Sequence, residues 1–511
     1  MNFEIIFVLL ALVGMIAALI WDKLRPGMVL LTVVVLFLCA GILTPKEMLE
    51  GFSNKGMITV GMLFLVSEGI RQSGALGQLI KKLLPEGKTT VFKAQFRMLP
   101  PIAFISAFLN NTPVVVIFAP IIKRWAESVK LPATKFLIPL SYVTILGGIC
   151  TLIGTSTNLV VHGMILEAGY EGFTMFELGK VGIFIALAGI IYLFIFSNKL
   201  LPDSRTDTYE EEEEEGNPGN LHRVEAVLGS RFPGINKTLG EFNFTRHYGA
   251  IVKEVKSGGE RFTRDLDKVV LHEGDTLVLW ADDTFVPTWG ESSVFLLLAN
   301  GSEGTEPVSR KKRWLALGLL IFMIVGATVG ELPAVRKAFP EIRLDMFFFV
   351  CITTIIMAWT KIFPPKKYTK YISWDILITI ACAFAISKAM ENSGFAALIA
   401  RHIIDMAHNI GPYALLAILF IITNIFTELI TNNAAAALSF PIALSVATQL
   451  GVDPTPFFVV ICMAASASFS TPIGYQTNLI VQGIGSYKFT DFVKIGLPLN
   501  LITFLISVFM I

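Results

Sequence analysis

Apolar stretches long enough to cross a bilayer recur along this chain. A spanning helix needs about 17–25 apolar residues, and such runs occupy 3–20, 27–44, 56–74, 135–167, 178–200, 313–331, 343–360, 372–390 and 490–511. Three other apolar regions, 95–124, 412–449 and 455–485, carry polar residues near their middles. That pattern predicts an all-α polytopic membrane protein with two re-entrant hairpins and broken helices. Between 202 and 312 it gives way. TDTYEEEEEEGNPGN (206–220) reads as an acidic, disordered linker, and 222–286 beyond it reads as soluble and β-rich, for instance GAIVKEV and DTLVLWA. The predicted order is a first membrane repeat (1–201), an acidic linker (202–221), a small α+β domain (222–290), a second linker (291–312) and a second membrane repeat (313–511).

The two membrane halves match each other. SNKGMITVGMLFLVSEGIRQSG (53–74) aligns without gaps to SWDILITIACAFAISKAMENSG (373–394), NNTPVVVIFAPI (110–121) to TNNAAAALSFPI (431–442), and TLIGTSTNLVV (151–161) to TPIGYQTNLIV (471–481). The offsets, 320, 321 and 320 positions, mark an internal duplication. Lys and Arg placement sets the orientation. With the small domain and RKKR (310–313) in the cytoplasm, WDKLRP (21–26), KKLLPEGK (81–88), IIKRWAESVK (121–130) and KIFPPKKYTK (361–370) also fall inside. Both termini then lie outside, and the halves have opposite topologies.

Composition agrees with a membrane setting: 54% of residues are hydrophobic, 16% are charged, and the mean hydropathy is +0.66. A net charge of +1 leaves no nucleic-acid footprint. Cys39, Cys150, Cys351, Cys382 and Cys462 sit in apolar segments without C-x-x-C spacing, so neither a disulfide framework nor a zinc site is expected. The N-terminal run lacks a basic start and a cleavage motif and is read as a retained helix. No nucleophile–base set or metal motif points to an enzyme.

Matching polar breaks in an inverted repeat point to a transporter's binding site. Irregular backbone persists at membrane depth only where protein covers it or where it lines a cavity. Unwound carbonyls suit a cation, and the N-termini of half-helices suit an anion. The tips Ser106-Ala-Phe-Leu-Asn110-Asn111-Thr112 and Thr427-Glu-Leu-Ile-Thr431-Asn432-Asn433 each place a hydroxyl one helical turn before a polar triplet. In the breaks, Gly154 and Gly474 permit unwinding. Thr155, Ser156, Thr157, Thr477, Asn158 and Asn478 supply neutral oxygens, which suit Na⁺ better than a proton. The bland alternatives are interhelical glue at the tips and plain kinks at the breaks. Glu68, Lys388, Glu428 and His162 are isolated charges near membrane depth. Glu68 and Lys388 occupy equivalent repeat positions and read as snorkelling groups, and Glu428 adjoins the second tip. GALGQLIKKLL (74–84) and GFAALIARHIIDMA (394–407) read as amphipathic interfacial helices.

These tips and breaks resemble the paired Ser-Asn-Thr motifs and unwound T-P-x-N segments of the divalent anion/sodium symporter family, the dicarboxylate, citrate and sulfate carriers. The likeness covers both membrane halves. It implies an elevator-type homodimer with two Na⁺ sites. One site would use Ser106, Asn110, Asn111, Thr151 and Gly154, the other Thr427, Thr431, Asn432, Thr471 and Gly474. A small divalent anion would lie among Asn110, Asn111, Thr112, Thr431, Asn432 and Asn433, with Ser156, Asn158, Thr477 and Asn478 completing its surroundings. The chain departs from the family in reading N-N-T and T-N-N at the tips, and T-S-T-N and Y-Q-T-N, without proline, at the breaks. Residues 223–285 are similar to the TrkA-C type, the C-terminal lobe of regulator-of-potassium-conductance domains, through P-G-x-N-K-T-L-x-E, R-x-Y-G-A-I-V and L-x-x-G-D-T-L. That resemblance implies dimerisation and a small regulatory ligand. Family members with such inserts are mostly sulfate carriers or permeases of unassigned substrate, so Na⁺-coupled import of a divalent oxyanion, sulfate first, is the expectation. A dicarboxylate symporter and an ion antiporter of the same superfamily are the alternatives. A channel gated by the small domain is the rival from another class, and closed hairpin tips fit a carrier better.

Overall fold

The computed structural model describes residues 3–21, 24–85, 87–203, 221–229, 231–282, 284–289, 292, 294–300, 310–339, 342–407 and 412–511. The acidic stretch 206–220 lies outside the described residues. Helices dominate, and a small antiparallel sheet follows the first membrane half. Among the described residues, five helices are long and apolar enough to cross a membrane: Phe3–Trp21, Gly179–Leu200, Arg310–Gly330, Asn432–Leu450 and Phe489–Met510. Pro365–Tyr371 and Trp374–Asn392, bent by 56° at their joint, form a sixth if counted as one span. RKKR is the first turn of the Arg310–Gly330 helix, not the end of a linker.

Both predicted hairpins are present. Val91–Ser106 and Asn111–Ser128 form the first, and Pro412–Leu429 and Asn432–Leu450 form the second. Pro120 and Pro441, equivalent in the repeat, lie inside the second arm of each. The polar breaks stop their helices as expected: Thr134–Gly148 resumes at Ser156–Glu167, and Thr455–Ser466 resumes at Gln476–Gly485. The two amphipathic segments are helices, Ala75–Leu83 and Phe395–Ala407. Each is joined to the preceding helix through a left-handed glycine, Gly74 at φ +67° and Gly394 at φ +74°, a turn that a side chain would strain. Glu68 and Lys388 do not meet. Glu68 pairs with Arg71 at 2.7 Å and Lys388 with Glu391 at 3.2 Å, each three residues on along its own helix.

The sheet has five strands in the order β3-β2-β4-β1-β5, all antiparallel, where β1 is His222–Leu228, β2 Ile251–Ser257, β3 Glu260–Phe262, β4 Thr276–Ala281 and β5 Phe295–Asn300. Gly258 and Gly259, at φ +57° and +82°, make the two-residue turn between β2 and β3, as such a tight hairpin requires. The domain boundary expected at 290 is therefore corrected. β5 lies in the presumed linker 291–312 and pairs with β1, Ala226 opposite Leu298, because it supplies the edge that buries β1 from both sides. The sheet and its short helices enclose their own core, including Leu228, Phe232, Phe244 and Leu277.

This domain rests on the elements that carry the polar tips and breaks. Lys123, in the second arm of the first hairpin, donates to both carboxylate oxygens of Glu225 in β1, at 3.0 and 2.9 Å. A Cβ at Gly483, in the second resumed helix, would stand 2.5 Å from the Gly274 carbonyl, so the two backbones touch directly. Both membrane halves thus meet the domain.

Candidate functional site

The first half-site begins where the helix Val91–Ser106 ends. Ser106 Oγ donates to Asn111 Oδ1 at 2.8 Å. Asn110 caps the next helix, its Oδ1 accepting from the Thr112 N–H at 3.5 Å. In the facing break, Thr151 Oγ1 donates to the Ala107 carbonyl and accepts from the Gly154 N–H at 3.2 Å. Asn158 donates to the Thr151 carbonyl at 2.9 Å.

The second half-site repeats these bonds 320 or 321 residues on. Thr427 Oγ1 lies 2.8 Å from Asn432 Oδ1 and 2.5 Å from the Ala465 carbonyl. Gly474 N–H donates to Thr471 Oγ1 at 3.2 Å. Asn478 donates to the Thr471 and Ser468 carbonyls at 3.1 and 2.9 Å. The hairpins and breaks also cross-link the halves in matching fashion. Thr112 Oγ1 donates to Gln476 Oε1 at 3.3 Å, and Ser156 Oγ and Thr157 Oγ1 donate to Asn433 Oδ1 at 3.2 and 3.3 Å. Asn433 is the repeat equivalent of Thr112, and Gln476 of Ser156.

Four helices begin here, at Asn111, Ser156, Asn432 and Gln476. Their positive dipole ends and free N–H groups favour an anion. Neutral oxygens from the tips and breaks line the same region, and among the described residues no three His, Cys, Asp or Glu side chains gather as transition-metal ligands. A narrow cleft, with room for about one water-sized molecule, reaches the first tip, lined by Asn110 and Ser156 together with Val60, Ser67, Ile153 and Met323.

Of the sequence candidates, Ser106, Asn110, Asn111, Thr112, Thr151, Gly154 and Ser156 come together with Thr427, Asn432, Asn433, Thr471 and Gly474. Thr431 stands at the second tip, its buried Oγ1 without a hydrogen-bond partner among the described residues. Asn158, Asn478 and Thr477 are turned elsewhere. The two asparagines brace their own breaks. Thr477 Oγ1 and Asn478 Oδ1 lie 2.9 and 2.7 Å from Ser141 Oγ. Ile461 occupies the repeat position of Ser141 and offers no hydroxyl, which accounts for the unpartnered Asn158 Oδ1. Glu428 sits behind the second tip, accepting from the Ser470 N–H at 2.9 Å and Asn500 Nδ2 at 2.7 Å.

Gly154 and Gly474 lie in the interruptions between helices. Neither has a positive φ. Glycine is needed for close approach: a Cβ at Gly154 would lie 2.4 Å from the Gly148 carbonyl, and one at Gly474 would lie 1.9 Å from Ser468 Oγ. Gly154→Ala is expected to cost about 1–3 kcal/mol through overpacking and to cut transport about tenfold. Uptake by the variant in proteoliposomes, read beside its melting temperature, checks this, and unchanged uptake would show the break to be looser than drawn.

Tyr475 and Gln476 are site residues that sequence motifs passed over. Their signal was a pair of adjacent mismatches inside the third alignment, where Tyr475-Gln476 stands opposite Thr155-Ser156. Tyr475 OH accepts from Asn111 Nδ2 at 2.7 Å and lies 3.1 Å from Thr155 Oγ1.

A multi-pass helical bundle whose paired hairpin tips and interrupted helices enclose a polar centre is a membrane carrier. The chain belongs to the citrate transporter family, CitMHS, which matches residues 16–348 and 337–511. A transporter of Synechocystis sp., sll0640, is 30% identical over 559 aligned positions, covering 92% of this chain and 90% of that one. Sodium/sulfate cotransporter 2 of Chlamydomonas reinhardtii is 30% identical over 293 positions, 57% of this chain and 32% of its own length. The YdaH transporter of Alcanivorax borkumensis shares the fold, with a TM-score of 0.52 at 12% identity over 91% of this chain and 86% of that one. These relatives make the protein a transporter of small anions and not an enzyme.

Proposed function

We propose that the protein is a Na⁺-coupled importer of a divalent oxyanion, sulfate first. The observation that carries this reading is the pair of matching half-sites, each joining neutral oxygens to two helix N-termini. A dianion there is met by amide and hydroxyl donors and dipole ends, with no lysine or arginine required. Oxygens of Ser106, Asn110, Asn111, Thr151 and the Gly154 backbone would hold one Na⁺, and those of Thr427, Thr431, Asn432, Thr471 and the Gly474 backbone the other. The partnerless Thr431 hydroxyl suits such a role. The name of the algal sodium/sulfate relative supports both the ion and the anion. By the positive-inside bias the small domain faces the cytoplasm and both termini face outward, and the halves form an inverted repeat. The carrier works as an elevator-type homodimer. The small domain, TrkA-C-like, regulates it through a small ligand.

The family description names citrate, which favours a carboxylate as the second reading. Radiolabelled sulfate uptake into proteoliposomes separates the two. Uptake is expected to need an inward Na⁺ gradient, to vanish when K⁺ replaces Na⁺, and to ignore unlabelled succinate. Succinate uptake without sulfate uptake would overturn the oxyanion reading and keep the coupling.

A further inference from the structure

Among the positions at which the half-sites differ, one pair sets a small hydroxyl against an aromatic ring. Thr155 caps the first resumed helix and Tyr475 the second. The tyrosine ring carries its hydroxyl across to the other half. There it meets Asn111 Nδ2 at 2.7 Å and Thr155 Oγ1 at 3.1 Å. Asn432 hydrogen-bonds the same hydroxyl. One phenolic oxygen therefore touches both tips and the first break.

The donors and acceptors can be assigned. Asn111 Oδ1 accepts from Ser106 and Asn432 Oδ1 from Thr427, so the NH₂ is the group each asparagine can donate toward the centre. An oxygen that receives these amides, ringed by four helix N-termini, sits where an oxygen of a bound anion would sit. The hydroxyl keeps one proton, which it can give to Thr155 or to an anion beside it. The ring is buried.

We propose that Tyr475 sets the specificity of the carrier. Its hydroxyl stands in for one substrate oxygen and its ring shortens the site, so that a compact tetrahedral dianion is accepted and a linear dicarboxylate is excluded. The inference rests on the oxyanion reading given above.

Two variants test it. Tyr475→Thr restores the residue of the first repeat and removes the ring. Tyr475→Phe keeps the ring and removes the hydroxyl. Labelled sulfate uptake is measured for the wild type and both variants against increasing unlabelled succinate, with melting temperatures as the check on folding. Tyr475→Phe is expected to raise the KM for sulfate at least about fivefold and to stay insensitive to succinate. Tyr475→Thr is expected to raise the sulfate KM and to become inhibited by succinate at concentrations at least about tenfold lower than the wild type tolerates. If both variants fold and keep the wild-type sulfate KM and succinate insensitivity, the role of Tyr475 is overturned while the oxyanion reading stands. Should Tyr475→Thr not fold, an unchanged sulfate KM in Tyr475→Phe is enough to reject the proposal. A wild type that takes up succinate and not sulfate rejects both at once.

Discussion

Alanine at Asn111 or Asn432 is expected to lower anion uptake by about tenfold to a hundredfold while the protein still folds. Each side chain holds two partners. The carbonyl oxygen of Asn111 accepts from Ser106 and its amide donates to Tyr475. Asn432 accepts from Thr427 and also bonds Tyr475. Ser106 is fully buried, so its hydroxyl cannot turn to water, whereas the buried Thr427 hydroxyl keeps the Ala465 carbonyl at 2.5 Å. A buried polar group left without its partner costs about 1–3 kcal/mol, and about 1.4 kcal/mol is a factor of ten in binding. The same amides are what the centre offers an anion, so the loss falls on transport before it falls on the fold. Asn111→Asp sharpens the test. It keeps the shape, removes the donor and adds a negative charge beside the anion's place, so its uptake should fall below that of Asn111→Ala. Initial rates over a range of sulfate concentrations give the result. A KM and a maximal rate within twofold of wild type for either alanine variant would remove these asparagines from the site.

The repeat, the tips and the breaks were legible because polar residues are conspicuous in an apolar run. An asparagine pair at membrane depth has to be satisfied by something, and its recurrence 321 residues later says that the partner is structural and duplicated. The helix stops at Gly148 and Ser466, and the restarts at Ser156 and Gln476, followed from the same residues. What the sequence hid were the contacts made across the repeat. Tyr475 in an apolar stretch reads as core, and only its neighbours in space reveal that its hydroxyl reaches the first tip. Asn158 and Asn478 looked like anion contacts because they are polar and repeated, but the open backbone carbonyls of each break lie nearer to them than the tips do. The glycines were legible as points of unwinding, whereas the close backbone approach that requires them leaves no trace in a single sequence. The edge strand Phe295–Asn300 was missed because an apolar hexamer beside a polar stretch carries no period of its own.

The seat of the small domain was equally hidden, and it bears the second large effect. Reversing Lys123 to glutamate is expected to unseat the domain from the membrane bundle, and the double reversal Lys123→Glu with Glu225→Lys is expected to reseat it. Burial by itself would raise the Glu225 carboxyl. Lys123 and Lys256 beside it outweigh that and hold it down to about 2. Its charged form is therefore present throughout the neutral range, and the contribution of this contact is full above about pH 4.5 and fades as the pH falls toward 2. Both side chains are largely covered, 10% and 15% exposed, and removing one partner of such a pair costs about 3–5 kcal/mol because the other charge stays buried. Lys123→Glu places two carboxylates face to face, with Arg223 at 3.4 Å and Lys256 at 3.7 Å from Glu225 to compensate in part. The expected result is a lower melting temperature and faster cleavage of the segment joining the domain to the first membrane half under limited proteolysis, with both largely restored in the double variant. Lys123 lies on the same helix as Asn111, and Gly274 packs on the helix that begins at Gln476, so a domain held there is tied to both half-sites. Unseating it should change the uptake rate as well as the stability. Wild-type proteolysis and melting in Lys123→Glu would mean that the ion pair does not seat the domain. A stability loss with wild-type uptake would mean that the domain is seated as described but does not influence transport.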